Sequence, residues 1–273
     1  MKPDPQTTSK KPRVAVMKFA SCDGCQLTLL NCEDELLSIA DRIEFAHFAE
    51  ASSNLQNGPY DLTIVEGSIT TEHDAIRIRE LRTQSRILIT IGACATAGGI
   101  QALRNFGLHD DFKRAIYAHP EFISSLNQST PIADHVPVDF ELRGCPIDKQ
   151  QLIEVILAFA SGRRPKTSTE SVCQPCKRRG NVCVVVTQKT PCLGPITQAG
   201  CGAICPAFDR GCFACFGPSH DPNVSSLSHS ILQPNLPTAQ AALLLQSFHA
   251  ASPPFRQEAL RLWQLSPIQP PPK

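Results

Sequence analysis

No stretch of this 273-residue chain approaches the roughly 18 uncharged apolar residues that a helix needs to cross a bilayer. Residues 1–19 lack the apolar run of a secretory signal and hold no twin-arginine pair, so no export route is read and a cytoplasmic protein with reduced thiols is expected. An excess of one charge is missing as well. Twenty-six Lys plus Arg against 25 Asp plus Glu leave a formal +1, which gives no broad electrostatic reason to hold a nucleic acid. Charged residues make up only 19% of the chain, against about 25% in typical soluble domains, as expected where another subunit covers part of the surface. The length excludes a mini-scaffold and provides ample chain for a core.

What is abundant is cysteine, and it is unevenly placed: of 13, five lie before residue 173 and eight between Cys173 and Cys215. An odd count fits poorly with a complete disulfide framework, and clustered thiols in a reducing compartment bind metal more often than they pair.

After a polar leader over residues 1–12, with Pro3, Pro5 and Pro12, Arg13 to Phe19 reads as an apolar strand. It runs into a loop and then a helical distribution of leucines from Leu27 to Leu37. Further strands are expected at Ile43 to Phe48, Asp61 to Glu66, Arg86 to Ile91 and Val136 to Leu142. Helices are expected over Glu72 to Gln84 and Lys149 to Ala160. This alternation predicts an α/β fold, an open parallel sheet with crossover helices, in which binding groups gather in loops beyond the carboxyl ends of the strands. Cys22, Cys94 and Cys145 each follow a predicted strand, so three distant loops can meet at one edge.

The polar segment SGRRPKTSTES from Ser161 to Ser171 reads as a linker. Beyond it periodic secondary structure largely disappears, and metal is expected to stand in for an apolar core. Short helices are read at Thr238 to His249 and Arg256 to Leu265, and the end, SPIQPPPK, as disordered.

The cysteines form three constellations. The first is Cys22-x2-Cys25 with Cys94 and Cys145, beside Gly24, Gly92, Gly144 and Pro146. Adjacent glycines let backbone amides approach and hydrogen-bond the sulfurs. Gaps of 68 and 50 residues are unlike compact zinc ribbons, and a Cys-Pro step recurs in iron-sulfur sites, which favours iron-sulfur although zinc accepts the same ligands. The second is Cys173-x2-Cys176-x6-Cys183-x8-Cys192, and the third Cys201-x3-Cys205-x6-Cys212-x2-Cys215. Spacing alone does not compel this division, since a ligand can belong to the neighbouring cluster. Cys32 is left over and is expected two turns along the helix of Cys25 as a buried small hydrophobe. The GACATAGG segment at Gly92 to Gly99 lacks the Lys-Ser/Thr signature of a phosphate loop.

At this point the chain resembles the small, electron-transferring subunit of cytoplasmic NiFe hydrogenases, of the sulfhydrogenase delta or NAD(P)-linked type. The resemblance is carried by ASCDGCQLTLL at Ala20 to Leu30, VEGSITTEHD at Val65 to Asp74, IGACATAGGIQALRN at Ile91 to Asn105, ELRGCPIDKQQL at Glu141 to Leu152, and the block from CKRRGNVC through TPCLGPITQAGCGAICPAFDRGCFACFGP. It implies a flavodoxin-like doubly wound sheet over 13–165 carrying a proximal 4Fe-4S cluster on Cys22, Cys25, Cys94 and Cys145. A smaller domain over 166–273, poor in regular structure, would hold a distal cluster on Cys173, Cys176, Cys183 and Cys192 and a medial one on Cys201, Cys205, Cys212 and Cys215.

Relatives on the membrane or in the periplasm often have His where Cys173 stands, and those with a 3Fe-4S medial cluster lack the thiol of Cys205. Both differences imply low-potential electron traffic. Complex I has a related subunit that resembles only the first domain.

The implied partners are a large subunit holding the NiFe centre, a flavin- and NAD(P)-binding subunit, and an additional iron-sulfur subunit, with sulfur or polysulfide reduction as a family activity. A deazaflavin or heterodisulfide reductase acceptor is the alternative within the same class, and a zinc-stabilised assembly module the alternative outside it. No catalytic residue is expected in this chain. Glu66, in VEGS, is read either as an interface or proton-route residue or as a cap on backbone amides in the following loop. Arg143 is read either as offsetting thiolate charge or binding a partner, or as a solvated charge. The eight histidines, His220 included, show no ligand-like pairing.

Overall fold

The computed structural model describes residues 11–267. The leader and the proline-rich end fall largely on residues 1–10 and 268–273, outside the described residues. The first half is built from β1 (Arg13–Lys18), α1 (Gly24–Leu30), α2 (Asp34–Ala40), β2 (Glu44–Phe48), β3 (Tyr60–Glu66), α3 (Glu72–Thr83), β4 (Ser85–Ile91), α4 (Gly92–Ala97), α5 (His109–Ile116), β5 (Phe140–Leu142) and α6 (Lys149–Ala160).

All strand pairs are parallel, in the order β2-β1-β3-β4-β5. This is the flavodoxin-like order, with its switch point between β1 and β3. The central strands are apolar on both faces because both are covered. Val14, Val16, Ile64, Ile89 and Ile91 pack with Leu29, Ile39, Leu152, Val155 and Ile156 of α1, α2 and α6. Ala15, Met17, Val65 and Leu88 pack with Ala75, Ile78 and Leu81 of α3 on the other face. Each fully buried Leu or Ile contributes about 1.5–3 kcal/mol, so the sheet is a rigid platform for the loops at its carboxyl edge. The start of α3 is fixed by Thr71, whose hydroxyl accepts from Asp74 N–H at 3.1 Å, and that of α6 by Asp148, which accepts from Gln151 N–H at 2.9 Å.

The structure departs from the sequence reading in three places here. Cys32 is fully buried as expected, but it lies in the turn between α1 and α2, where Glu33 takes φ +44°, and its thiol donates to Thr28 O at 3.3 Å. The strand expected from Val136 is only Phe140–Leu142, because Pro137 cannot donate to a ladder. The α5 helix went unread, since it buries no residue and its apolar positions Phe112, Ala115 and Ile116 span little more than one turn.

The second half continues with α7 (Cys173–Arg178), α8 (Val184–Gln188), α9 (Ile204–Ala207), α10 (Val224–Leu227), α11 (Thr238–Leu245) and α12 (Pro253–Leu265). The expectation of little apolar core here is corrected by the tail. Leu193, Ile196, Leu227, Leu232, Leu245, Phe255, Leu262 and Trp263 form a core of their own. The indole N–H of Trp263 is satisfied by Gln246 Oε1 at 3.1 Å. The two halves meet where Arg143, paired with Glu141 at 3.0 Å, donates to Pro218 O at 3.1 Å. Among the described residues no helix is long and apolar enough to cross a membrane.

Candidate metal centres

Beyond the carboxyl ends of the strands the sheet gathers the first constellation. Cys22 and Cys25 follow β1, Cys94 sits in α4 directly after β4, and Cys145 lies in the loop after β5. Their thiols are electrostatic neighbours. Burial raises Cys25, and charge on Cys94 and Cys145 adds to it. Burial pushes Cys94 up to about 11, with Cys145 and Cys22 contributing. Cys145, also raised by burial, feels Cys22. Two glycines make room for the sulfurs. Gly92 has φ +84°, and a Cβ there would stand 2.5 Å from Cys25 Sγ; at Gly99 (φ +64°) the equivalent atom would stand 2.5 Å from Cys94 Sγ. Only a residue without a side chain leaves this cradle open.

Glu66, the last residue of β3, is 2% exposed at the same rim. Its Oε1 accepts from Cys25 N–H at 3.0 Å and its Oε2 from Gln26 Nε2 at 2.8 Å. Burial raises its pKa and these two bonds pull it back. The amides it holds belong to the helix after β1, not to the loop after its own strand.

The second constellation surrounds one space. Cys173, Cys176, Cys183 and Cys192 all line a cavity of about 260 Å³ whose other walls are Val172, Val184, Val185, Val186, Pro206 and Ile231 among apolar neighbours. Burial pushes Cys173 up to about 11, with Cys192, Cys176 and Cys183 adding to the effect. In the third constellation, burial pushes Cys215 up to about 12, helped by Cys201 and Cys205. Cys212 is also pushed up to about 12, first by burial, with Cys192 and Cys215 adding to it. The backbone wraps inward at residues other than glycine: Asp23, Ala203 and Ala214 have φ of 65°, 57° and 59°. Left-handed residues interrupting a run turn successive N–H groups toward an anionic centre. Ala214 N–H accordingly points to Cys212 Sγ at 3.5 Å.

The second and third quartets also touch, and the first acts on the third through its charge. Cys212 N–H donates to Cys192 Sγ at 3.2 Å, joining the third set to the second. The charge of Cys145 is felt at Cys215, joining the first set to the third.

Sequence reasoning passed over His249. It is 1% exposed, with Nε2 facing Cys215 O at 3.2 Å, and burial lowers its pKa to about 3, so it stands neutral behind the third quartet. Its position after a break of 33 residues from Cys215 carries no local signal. Gln101 was also missed; it accepts from the Cys94 thiol at 3.4 Å and donates to Ala20 O at 2.8 Å. His220 is exposed and touches no cysteine quartet.

Among the described residues no group of three or more His, Cys, Asp and Glu side chains is close enough to hold one metal ion. A lone zinc draws its thiolates to about 2.3 Å, whereas an iron-sulfur cage needs four sulfurs spread around a volume. Four thiols lining one apolar cavity, and glycine cradles beside Cys25 and Cys94, fit the second requirement.

Residues 22–159 match the family described as NADH ubiquinone oxidoreductase, 20 Kd subunit. The chain belongs to this family. The match covers β2 to β5 and the first constellation, and other relatives extend it. Sulfhydrogenase 2 subunit delta of Pyrococcus furiosus is 35% identical over 239 residues, 86% of this chain and 98% of that protein. One component of the F420-non-reducing hydrogenase vhu of Methanocaldococcus jannaschii is 32% identical over 75% of this chain and 81% of its own length. A chain of the NAD+-reducing NiFe-hydrogenase, solved in the H2-reduced state, superposes with a TM-score of 0.54 at 26% identity, over 58% of this chain and 96% of that one. Family membership makes this chain a subunit of an oxidoreductase complex.

Proposed function

We propose that this chain is the electron-transferring small subunit of a NiFe hydrogenase, a cytoplasmic complex in which a separate large subunit holds the nickel-iron centre. Three 4Fe-4S clusters are assigned: proximal on Cys22, Cys25, Cys94 and Cys145, medial on Cys201, Cys205, Cys212 and Cys215, and distal on Cys173, Cys176, Cys183 and Cys192. The chain then divides into 13–165 with the proximal cluster and 166–273 with the other two. Each such cluster supplies reversible one-electron chemistry when bound. The protein's part is to hold the sulfurs, exclude water and aim amides at them, as the apolar cavity and the inward N–H groups do.

The observation that carries this reading is the hydrogen bond from Cys212 to Cys192, with the electrostatic influence of Cys145 on Cys215 beside it, which supports a relay ordered proximal, medial, distal. Glu66, a buried carboxyl beside Cys25, is the residue on which a proton route toward the large subunit, or a contact with it, would rest. The expected electron partner is a flavin- and NAD(P)-binding subunit together with an additional iron-sulfur subunit.

A second reading of the acceptor has its own support. The NAD+-reducing structure accounts for only 58% of this chain, while the F420-non-reducing relative spans both halves at 32% identity. A heterodisulfide-reductase-type partner is therefore the supported alternative, while a relative named F420-non-reducing lends nothing to a deazaflavin acceptor, and the subunits that copurify with the complex separate these readings.

The test is anaerobic purification with metal and sulfide analysis. About 12 irons and a matching amount of acid-labile sulfide per chain, with a reducible visible chromophore, are expected. Stoichiometric zinc with almost no iron overturns the reading in favour of an assembly module.

A further inference from the structure

Aiming peptide N–H groups at a sulfur turns carbonyls of the same loop outward, where each needs a donor of its own. In the Cys212–Cys215 loop that task falls to the tail. The turn between α11 and α12 reaches back over the loop, where Ser247 Oγ donates to Phe213 O at 3.2 Å and His249 Nε2 stands 3.2 Å from Cys215 O. A carbonyl only accepts, so the imidazole proton sits on Nε2 and Nδ1 is left as an acceptor.

The two donors are not equivalent. Ser247 is partly exposed and water can take its place, whereas His249 is 1% exposed. The ring lies directly on the backbone of Gly217, where a Cβ would stand 2.8 Å from both Nδ1 and Cε1. An apolar ring would fill this space without a polar burden, because Nδ1 is buried with no hydrogen-bond partner among the described residues. Packing alone therefore does not account for an imidazole here. On the other flank Arg143 donates to Pro218 O at 3.1 Å, so the segment Cys215 to Pro218 is held from two sides. Burial, with the charge of Arg143 adding to it, keeps the imidazole neutral. The same segment is where charge on Cys145 is felt at Cys215, at the junction of the first and third sets.

We infer that His249 is a positioning residue for the third cluster site: its Nε2–H fixes the Cys215 carbonyl, orients that ligand, and raises the potential of the centre Cys215 helps to hold. The inference rests on the proposed assignment of Cys201, Cys205, Cys212 and Cys215 as one cluster site. The N–H presents the positive end of a dipole to the ligand loop, which favours the more negative, reduced form of a cluster. In a place closed to water that dipole is weakly screened.

The experiment uses the complete complex, prepared without oxygen, and compares His249→Phe with His249→Gln. Phenylalanine keeps a ring on Gly217 and removes the donor, while glutamine carries an amide N–H to about the position of Nε2. The readout is a redox titration followed by paramagnetic spectroscopy, with iron content measured alongside. The component that changes in Cys205→Pro identifies the medial centre. At the wild-type midpoint potential, the ratio of reduced to oxidised medial centre is expected to fall about fivefold in His249→Phe and to stay at the wild-type value in His249→Gln, with the other two centres unmoved.

A ratio in His249→Phe at or above that of wild type overturns the inference, and so does an equal fall in both variants, which leaves the ring as packing alone. Where His249→Phe loses the medial centre altogether, His249→Gln decides: retention at the wild-type ratio supports the donor role, and a shift or loss overturns it. A wild-type complex with no third set of iron signals refutes the assignment of the third quartet instead.

Discussion

The backbone N–H of Cys212 donates to the sulfur of Cys192 at 3.2 Å, so a residue of the third cysteine set stabilises charge on a member of the second. Two quartets drawn from consecutive stretches of chain are in this way joined by one hydrogen bond, which under the proposed assignment sets the medial and distal clusters side by side. Such a bond to an anionic sulfur is also one of the levers by which protein sets a cluster's potential.

Cys205 is the member of the third set most open to replacement. It occupies the first turn of α9, where proline is tolerated because the N–H there lacks a helical partner. Cys205→Pro is expected to leave the fold intact and remove one thiolate, giving a 3Fe-4S centre of higher potential. Paramagnetic spectra and a redox titration unchanged from wild type would contradict the medial assignment.

Gly92→Ala places a methyl group 2.5 Å from Cys25 Sγ at a backbone φ of +84°. Both the clash and the strained backbone act on the first quartet alone. The variant is expected to lose about a third of its iron and the proximal spectral component, while the other two centres persist. Full iron content would show that Cys25 is not a ligand.

Glu66→Gln keeps an oxygen to accept from Cys25 N–H, so metal content is expected to hold. Because burial raises the carboxyl's pKa, it can take up and release a proton closer to neutrality than an ordinary glutamate. Hydrogen turnover is expected to fall about tenfold or more and its pH profile to flatten. Unaltered turnover and profile leave Glu66 as a helix cap only.

Glu154 gives a pH-dependent contribution to stability. Arg163 donates to both carboxylate oxygens at 2.5 and 2.7 Å and Lys166 N–H donates at 2.9 Å. The Arg163 hydrogen bonds, and then that from Lys166, hold Glu154 down at about 2, against an ordinary value of 4.5. A depressed folded pKa means that the stabilisation is fully present above pH 4.5 and is lost as pH falls toward 2. In urea unfolding, wild type is expected to exceed Glu154→Gln by a constant margin above pH 4.5, shrinking to nothing near pH 2. A margin that does not change over this window removes the ion pair as its source.

Much of this fold was legible because its strands are buried on both faces and read as continuous apolar runs, as Tyr60–Glu66 and Ser85–Ile91 do. The α6 helix was read at its true bounds, since Leu152, Val155 and Ile156 repeat on one face. The first quartet was legible for a related reason: each cysteine follows a strand, and parallel strands deliver such loops to one edge. What escaped depends on contacts remote in sequence. His249 reaches Cys215 only because the tail helices close over the second half, and no local pattern announces that packing. The left-handed turns at Ala203 and Ala214 escaped because alanine gives no hint of positive φ.

The β5 strand is three residues long and hydrogen-bonded to β4 alone, yet its end carries both Cys145 and the Arg143 contact to Pro218. Short borders of a sheet open at lower free energy than its middle. Gentle warming is therefore expected to interrupt conduction between the halves while the interior strands still protect their amide protons from exchange. The working lifetime of the complex would then be governed by this hem, with the melting of the interior coming later.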